Sequence, residues 1–266
     1  MSSKNISIPR VAFFDFACCE GCQLQIANLE EDVIALAKLV NIVEFREVLT
    51  PTSTSKSKSK GNAPDYDYDI AFIEGSITRK ADEERLKDIR KRSKLLVAYG
   101  QCAVSGGINR LKNEWHNMDD VKKEVYGENY NMPHLDTYPT KGVDEVVTVD
   151  LHIPGCPINR DEFLRIVKEL VLGKVPKLPN YPVCVECKLK ENACLFDYGI
   201  VCLGPLARAG CGAICPSNGV ACEACRGTVD NPNKDAMHEI LEKYNYTVEE
   251  IKRKINIFGV NPEVSK

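Results

Sequence analysis

Two hydrophobic periodicities alternate along this chain. Val11-Ala-Phe-Phe-Asp-Phe16 is a compact β-branched and aromatic run, and behind it Ile26, Leu29, Val33, Leu36 and Val40 recur at three- and four-residue steps. That pairing predicts a strand followed by a helix. Comparable runs at 42–49, 69–74 and 94–99 predict further strands, and a fifth at 146–153 leads into a helix carrying Phe163, Ile166, Val167 and Leu170. Strands alternating with helices predict an α/β fold, with a doubly wound, flavodoxin-like parallel sheet over residues 1–175. Residues 176–266 read as a smaller, cysteine-rich domain, mostly irregular or helical. Two short amphipathic helices close it, one over 234–243 and one beginning at a Thr247-x-x-Glu250 capping box and stopping at Gly259; they are expected to pack over the cysteine-rich stretch.

The stretch 50–64 breaks the alternation. It has no aliphatic residue larger than alanine and no aromatic, so burial cannot offset the entropy of ordering it, and it reads as a solvated surface loop. Elsewhere the 266 residues are 44% hydrophobic, enough for a substantial core. A net charge of −3 argues against nucleic acid as a partner. No apolar N-terminal stretch reads as a leader, and no segment approaches about 18 uninterrupted apolar residues, so a cytoplasmic protein without a membrane span is expected. In a reducing cytoplasm, thirteen cysteines point to metal ligation rather than to disulfides.

Twelve of those cysteines fall into two blocks. Cys19 and Cys22 follow the first predicted strand, Cys102 follows the run ending at Tyr99, and Cys156 follows the run ending at Ile153. All four therefore converge on the carboxyl edge of the predicted sheet, where open α/β sheets bind ligands. Gly21, Gly100, Gly106, Gly107 and Gly155 flank them and would let backbone approach a bulky group. A flavin phosphate loop here would be hydroxyl-rich; Ala17-Cys-Cys-Glu-Gly-Cys22 suits a cluster instead. The tail reads Cys184-x2-Cys187-x6-Cys194-x7-Cys202 and Cys211-x3-Cys215-x6-Cys222-x2-Cys225, enough thiolates for two more four-ligand sites. The Cys215-Pro216 step and the uneven spacings favour iron-sulfur cubanes, while the Cys-x-x-Cys knuckle in each half leaves paired zinc open. His116, His134, His152 and His238 sit away from the knuckles and read as surface or packing residues.

In combination, several motifs resemble the small subunit of NiFe hydrogenases: Cys19-Glu-Gly-Cys-Gln23, Ile73-Glu-Gly-Ser-Ile77, Tyr99-Gly-Gln-Cys-Ala-Val-Ser-Gly-Gly107, Pro154-Gly-Cys-Pro157, Cys202-Leu-Gly-Pro205, Ala209-Gly-Cys211, Cys215-Pro216 and Cys222-Glu-Ala-Cys225. The resemblance implies an electron-transfer subunit of a hydrogenase, with the nickel-iron site in a partner large subunit and no nickel ligand here. It implies three 4Fe-4S clusters: a proximal one on Cys19, Cys22, Cys102 and Cys156, a medial one on Cys211, Cys215, Cys222 and Cys225, and a distal one on Cys184, Cys187, Cys194 and Cys202. Glu74 matches a glutamate near the proximal cluster, with a positional or proton-handling role; the other reading is a charge at a helix N-terminus.

Membrane-type relatives carry a histidine where Cys184 stands and a proline where Cys215 stands. Thiolates at both positions resemble the cytoplasmic branch, which includes sulfhydrogenases, bifurcating hydrogenases and those linked to heterodisulfide reductase. All-thiolate ligation would keep potentials low and suit a ferredoxin or a further iron-sulfur, flavin- or NAD(P)-binding subunit as redox partner. Hydrogen bonds to sulfur from the loops around Gly210 and Gly219 are expected to tune the clusters. Oxygen-tolerant relatives have an extra cysteine at the position of Gly21, so that trait does not carry over, and Cys18 has no assigned role. Tandem Cys18-Cys19 also resembles a subunit of respiratory complex I, which lacks the eight-cysteine tail. The alternatives are a free-standing iron-sulfur carrier and a zinc-stabilised interaction module.

Overall fold

The structure is a computed structural model that describes residues 8–29, 31–49, 66–115 and 117–258. The leader reading at residues 1–7, the lysine-serine stretch 50–64, His116, the Gly259 stop and the side chains of Val33 and Glu250 lie outside the described residues. Strand β1 (Arg10–Asp15) is followed by helices α1 (Gly21–Ala27) and α2 (Glu31–Leu39), then by β2 (Asn41–Phe45) and β3 (Tyr68–Glu74). Next come β4 (Ile77–Arg79), α3 (Lys80–Arg92), β5 (Ser93–Tyr99), α4 (Gln101–Ser105) and α5 (Met118–Tyr126). Strands β6 (Thr137–Lys141) and β7 (Leu151–Ile153) then lead to α6 (Arg160–Val171).

Five strands form one parallel sheet in the order β2-β1-β3-β5-β7, the doubly wound arrangement expected of the alternating pattern. Helices cover both faces, so the strands carry apolar residues on both sides instead of alternating with polar ones. Val11, Phe13, Ile70, Phe72, Val97, Tyr99 and Ile153 face a core shared with Ile26, Leu36 and the α6 residues Phe163, Ile166 and Val167. Ala12, Phe14, Ala71, Ile73, Leu96 and Ala98 face the opposite core with Leu86 and Ile89 of α3. Phe72 anchors the first core: it stacks on Phe13 at 5.0 Å and meets Phe163 at 5.4 Å and Tyr99 at 5.9 Å between ring centroids.

The remainder has its own core. Helices α7 (Val183–Leu189), α8 (Ile214–Ser217), α9 (Lys234–Lys243) and α10 (Val248–Asn256) are joined by long irregular segments. Val183, Phe196, Leu203, Leu206, Met237, Leu241 and Ile255 pack together, so the last two helices do lie against the cysteine-rich stretch. Backbone hydrogen bonds knit the irregular segments: Val183 N–H to Ala207 O at 2.9 Å, Ala209 N–H to Tyr181 O at 2.9 Å and Arg208 N–H to Gly227 O at 3.0 Å.

Three sequence expectations are corrected. The helix behind β1 is two helices, α1 and α2, with a break around residues 28–29 that an apolar period spans unnoticed. The second strand ends at Phe45, and only Leu151–Ile153 of the fifth run is strand; Val146, Val147 and Val149 pack against the second core from a loop. Burial alone selects apolar residues there, so a loop that packs imitates a strand. The antiparallel pair β4-β6 and helix α5 were not foreseen. Among the described residues no helix is long and apolar enough to cross a membrane.

Phe72→Ala should lower stability by about 3–5 kcal/mol, because the cavity would sit among three aromatic rings with no solvent access. The check is the shift of the chemical denaturation midpoint relative to the unsubstituted protein.

Candidate functional site

Four adjacent strands end at one edge, and each ends in a residue of the first candidate site. After β1 come Cys18, Cys19 and Cys22, the last in the first turn of α1; β3 ends in Glu74; Cys102 sits in α4 just past β5; Cys156 lies in the loop after β7. Backbone pairing ties the loops together. Gly100 N–H donates to Ile153 O at 2.8 Å and Gln101 N–H to Gly155 O at 2.7 Å, while Ala17 and Ser76 exchange hydrogen bonds at 2.9 and 3.1 Å. The carbonyl of Phe258 accepts from Ser105 Oγ at 2.8 Å, so the end of the tail straps α4.

Glu74 is buried, and its two oxygens accept from the backbone N–H groups of Cys22, at 3.0 Å, and Gln23, at 3.2 Å. These are orphan donors of the first turn of α1, so the carboxylate caps the helix from a neighbouring strand. Burial raises the Glu74 carboxyl above its ordinary range, and the two N–H donors pull it back down. Around it lie buried polar atoms without partners: the Tyr99 hydroxyl and both ends of the Gln23 side-chain amide, which sits beside Glu74 without the alignment of a hydrogen bond.

Burial lifts the Cys102 thiol to about 12, with repulsion from Cys156, Cys19 and Glu74 adding to it, and Cys156 to about 11. Cys22 is raised further by burial and by Glu74. Three such thiols become thiolates together only around a cationic centre. The glycines leave room for one. A Cβ on Gly100, whose φ is +82°, would stand 2.5 Å from the Cys22 sulfur, and one on Gly107 would stand 2.9 Å from the Cys102 sulfur. Gly21 faces the Cys19 sulfur, but Gly106 and Gly155 face other groups, Thr140 with Arg110 and the Pro157–Ile158 backbone, so only three of the five predicted glycines border thiols. The residues fit an iron-sulfur cluster in soft donor set, space and unsatisfied buried polarity.

The tail brings its eight thiols together in two neighbouring groups. Cys184 feels the charges of Cys202, Cys187 and Cys194, and burial lifts it to about 11. Cys225 feels Cys211 and Cys215, whereas Cys222 feels Cys202 ahead of Cys225 and Cys211, and Cys215 feels Cys211 and then Cys202, so the two groups adjoin at Cys202. A cavity of about 840 Å³ bordered by Cys156, Cys211, Cys215, Cys222 and Cys225 opens between the sheet edge and the tail. Gly204 stands where a Cβ would lie 3.2 Å from the Cys184 sulfur and 3.4 Å from that of Cys202. The groups also touch one another: Cys222 N–H donates to the Cys202 sulfur at 3.3 Å, and the backbone N–H of Cys156 faces the Cys225 sulfur and favours its thiolate. None of the thirteen cysteines is in a disulfide. Among the described residues, no three histidine, cysteine, aspartate or glutamate side chains are arranged to hold a single metal ion.

Of the loops around Gly210 and Gly219, the second supplies a hydrogen bond to sulfur, from Cys222 N–H, but the amides of the two glycines themselves go elsewhere. The Gly210 N–H goes to Glu186 Oε1 at 2.8 Å and the Gly219 N–H to Pro216 O at 3.0 Å. Glu186 also accepts from Ala213 N–H at 3.1 Å, so a carboxylate between Cys184 and Cys187 holds the loop that carries Cys211. Sequence reasoning missed Glu186 and the buried pair Glu162–Arg226; the signal available for Glu186 and Arg226 was a charged residue inside or directly after a cysteine knuckle. Of the described histidines, His152 pairs with Asp144 and His238 with Glu242, neither at the thiols. The tail contacts Cys156 through its own cysteines, and Cys18 lies near Cys102 and Glu74 with its thiol lifted to about 12, chiefly by burial.

Comparison with known proteins places this geometry. The family described as "NADH ubiquinone oxidoreductase, 20 Kd subunit" matches residues 19–170, which takes in Cys19, Cys22, Cys102 and Cys156 and stops before the eight tail cysteines. The chain is 34% identical to sulfhydrogenase 2 subunit delta of Pyrococcus furiosus over 94% of its own length and 99% of that subunit's. It is 30% identical to a subunit of the vhu F420-non-reducing hydrogenase of Methanocaldococcus jannaschii, over 83% of this chain and 82% of that one. Its fold resembles a chain of a crystal structure of an NAD+-reducing [NiFe]-hydrogenase in the H2-reduced state, with a TM-score of 0.53 and 25% identity, covering 65% of this chain and 96% of that chain.

Glu74→Ala should leave two buried N–H groups without an acceptor, at a cost of about 1–3 kcal/mol. Amide hydrogen exchange would report it as faster exchange at Cys22 and Gln23, with β5 unchanged.

Proposed function

The chain belongs to the family of hydrogenase small subunits, which shares the NADH ubiquinone oxidoreductase 20 Kd subunit family, and from that premise we propose that it relays electrons through three 4Fe-4S clusters. On this reading Cys19, Cys22, Cys102 and Cys156 hold the proximal cluster, Cys211, Cys215, Cys222 and Cys225 the medial one, and Cys184, Cys187, Cys194 and Cys202 the distal one. Each cluster, when bound, takes up and releases one electron at a time. The division at residue 175 then separates a sheet domain with one cluster from a tail domain with two.

The observation that carries the reading is the pair of ligand-to-ligand contacts. Cys156 N–H faces the Cys225 sulfur and Cys222 N–H donates to the Cys202 sulfur at 3.3 Å, so each thiol group adjoins the next, the second and third through a hydrogen bond. Tunnelling falls steeply with the gap between donor and acceptor, and a hydrogen-bonded bridge keeps that gap short. Exposed cysteines stand at both ends of the series, Cys19 in the first group and Cys194 in the third. Electrons would enter or leave at Cys19 toward a large subunit that splits or forms hydrogen, and at Cys194 toward a redox partner such as a ferredoxin or a further iron-sulfur or flavin subunit. Glu74 acts here by position, holding the turn that carries Cys22. A cytoplasmic location goes with partners of this kind.

Counting nickel, iron, zinc and sulfide on the complex purified without oxygen tests this. About twelve irons on this chain, beside a nickel-bearing partner, is the expected result. Iron without nickel or partner would instead indicate a free-standing carrier, and zinc in place of iron would sink the electron relay. Cys211→Ala should remove about four irons and stop electrons from hydrogen reaching the distal thiol group, while Cys18→Ala leaves the iron count unchanged.

A further inference from the structure

Directly after Cys225 stands Arg226, with a side chain only 3% exposed. Its guanidinium makes four hydrogen bonds, through all three nitrogens. Nε donates to Ala209 O and Nη1 to Pro154 O, both at 2.9 Å, and Nη2 donates to the two oxygens of Glu162 at 2.9 and 2.8 Å. Glu162, in the first turn of α6, is itself 5% exposed. Ala209 lies two residues before Cys211 and Pro154 two residues before Cys156. One fixed cation, carried directly after one thiol ligand, is thus bonded within two residues of a thiol ligand in each of two further loops, at the seam between the first thiol group and the second. The seam is closed by Gly210: a Cβ there would stand 2.5 Å from Nη2 of Arg226 and 2.7 Å from Oε1 of Glu162.

A pair that served only to join the two parts would need neither this position nor a guanidinium that bonds both flanking loops. Reduction adds negative charge to a cluster, and a cation held in a low-dielectric seam stabilises the reduced form, while a carboxylate opposes it. The guanidinium stays charged across the working pH range, so its effect is constant.

We propose that Arg226 is a positioning residue that raises the reduction potential of the second thiol group, Cys211, Cys215, Cys222 and Cys225, and that Glu162 holds it there and moderates its charge. The inference rests on the reading that this group binds an iron-sulfur cluster. On that footing the two partners act with opposite sign.

The test is a redox titration followed by electron paramagnetic resonance on the intact complex, alongside an iron count for each variant. Arg226→Gln should lower the midpoint potential of one cluster and Glu162→Gln should raise that of the same cluster. Each shift should be about tenfold in the reduction equilibrium, ~59 mV for one electron. Arg226→Lys keeps the charge and should stay near the parent potential. Shifts of the same sign, or no shift with the iron count unchanged, would overturn the assignment. Should Arg226→Gln lose iron, the other two variants decide: an upward shift for Glu162→Gln with Arg226→Lys near the parent value supports the proposal, and any other pair of results refutes it. A parent chain without iron would refute the cluster reading itself, which the iron count separates from a failure of Arg226.

Discussion

A buried charge is tolerated only when it is paired and its hydrogen-bonding capacity is filled, and that constraint decides how the two parts of this molecule meet. The Arg226 guanidinium finds its partners on three segments: Glu162 on α6, Pro154 in the loop after β7 and Ala209 in the tail. Breaking a buried pair by removing one partner typically costs about 3–5 kcal/mol, because the other charge is left in low dielectric. Alternative dockings of the tail on the sheet edge would carry that penalty. The same bonds fix the neighbours of the guanidinium, Cys225, Cys211 and Cys156, so the spacing of two thiol groups follows from one side chain.

Carboxylates do comparable work elsewhere. Glu74 reaches from the end of β3 to hold the first turn of α1, and Glu186 reaches from α7 to hold the loop before α8. Each satisfies two backbone N–H groups beside a cysteine, as a charged acceptor does more strongly than a neutral one. The turns that carry Cys22 and Cys211 are thereby held in place by protein groups alone, and preformed geometry lowers the entropy a ligand set gives up on binding. The donors that do reach sulfur, Cys222 N–H to Cys202 and Asn192 Nδ2 to Cys187 at 3.6 Å, come from the neighbouring thiol group and from a side chain. Cys222 belongs to the loop after Gly219, as expected, while the amides of Gly210 and Gly219 themselves are engaged by Glu186 and Pro216.

The parallel sheet was legible because its cause is local. Strands buried on both faces are short apolar runs, and five such runs separated by helix-period segments admit few arrangements. The boundaries were less legible. Val146, Val147 and Val149 look like strand because they are buried, yet only Leu151–Ile153 pairs with β5. The site was legible at the level of ligand type and strand end, since Cys19, Cys22, Cys102 and Cys156 each follow a run. Glu74 was legible only through the family resemblance, and Glu162 not at all, because Glu74 lies 52 residues from Cys22 in the chain and Glu162 lies 64 from Arg226.

Hydrophobic period and thiol spacing are properties of neighbouring residues, so the sheet and the soft donor set of twelve clustered thiols plus Cys18 were already written in the linear chain. That Cys156 meets Cys225, that Cys222 meets Cys202, and that a single guanidinium lies between the first two thiol groups emerged only on folding. These are contacts between segments far apart in the chain, and their partners are selected by the cost of leaving a charge or an N–H group unpaired once the chain has closed around it.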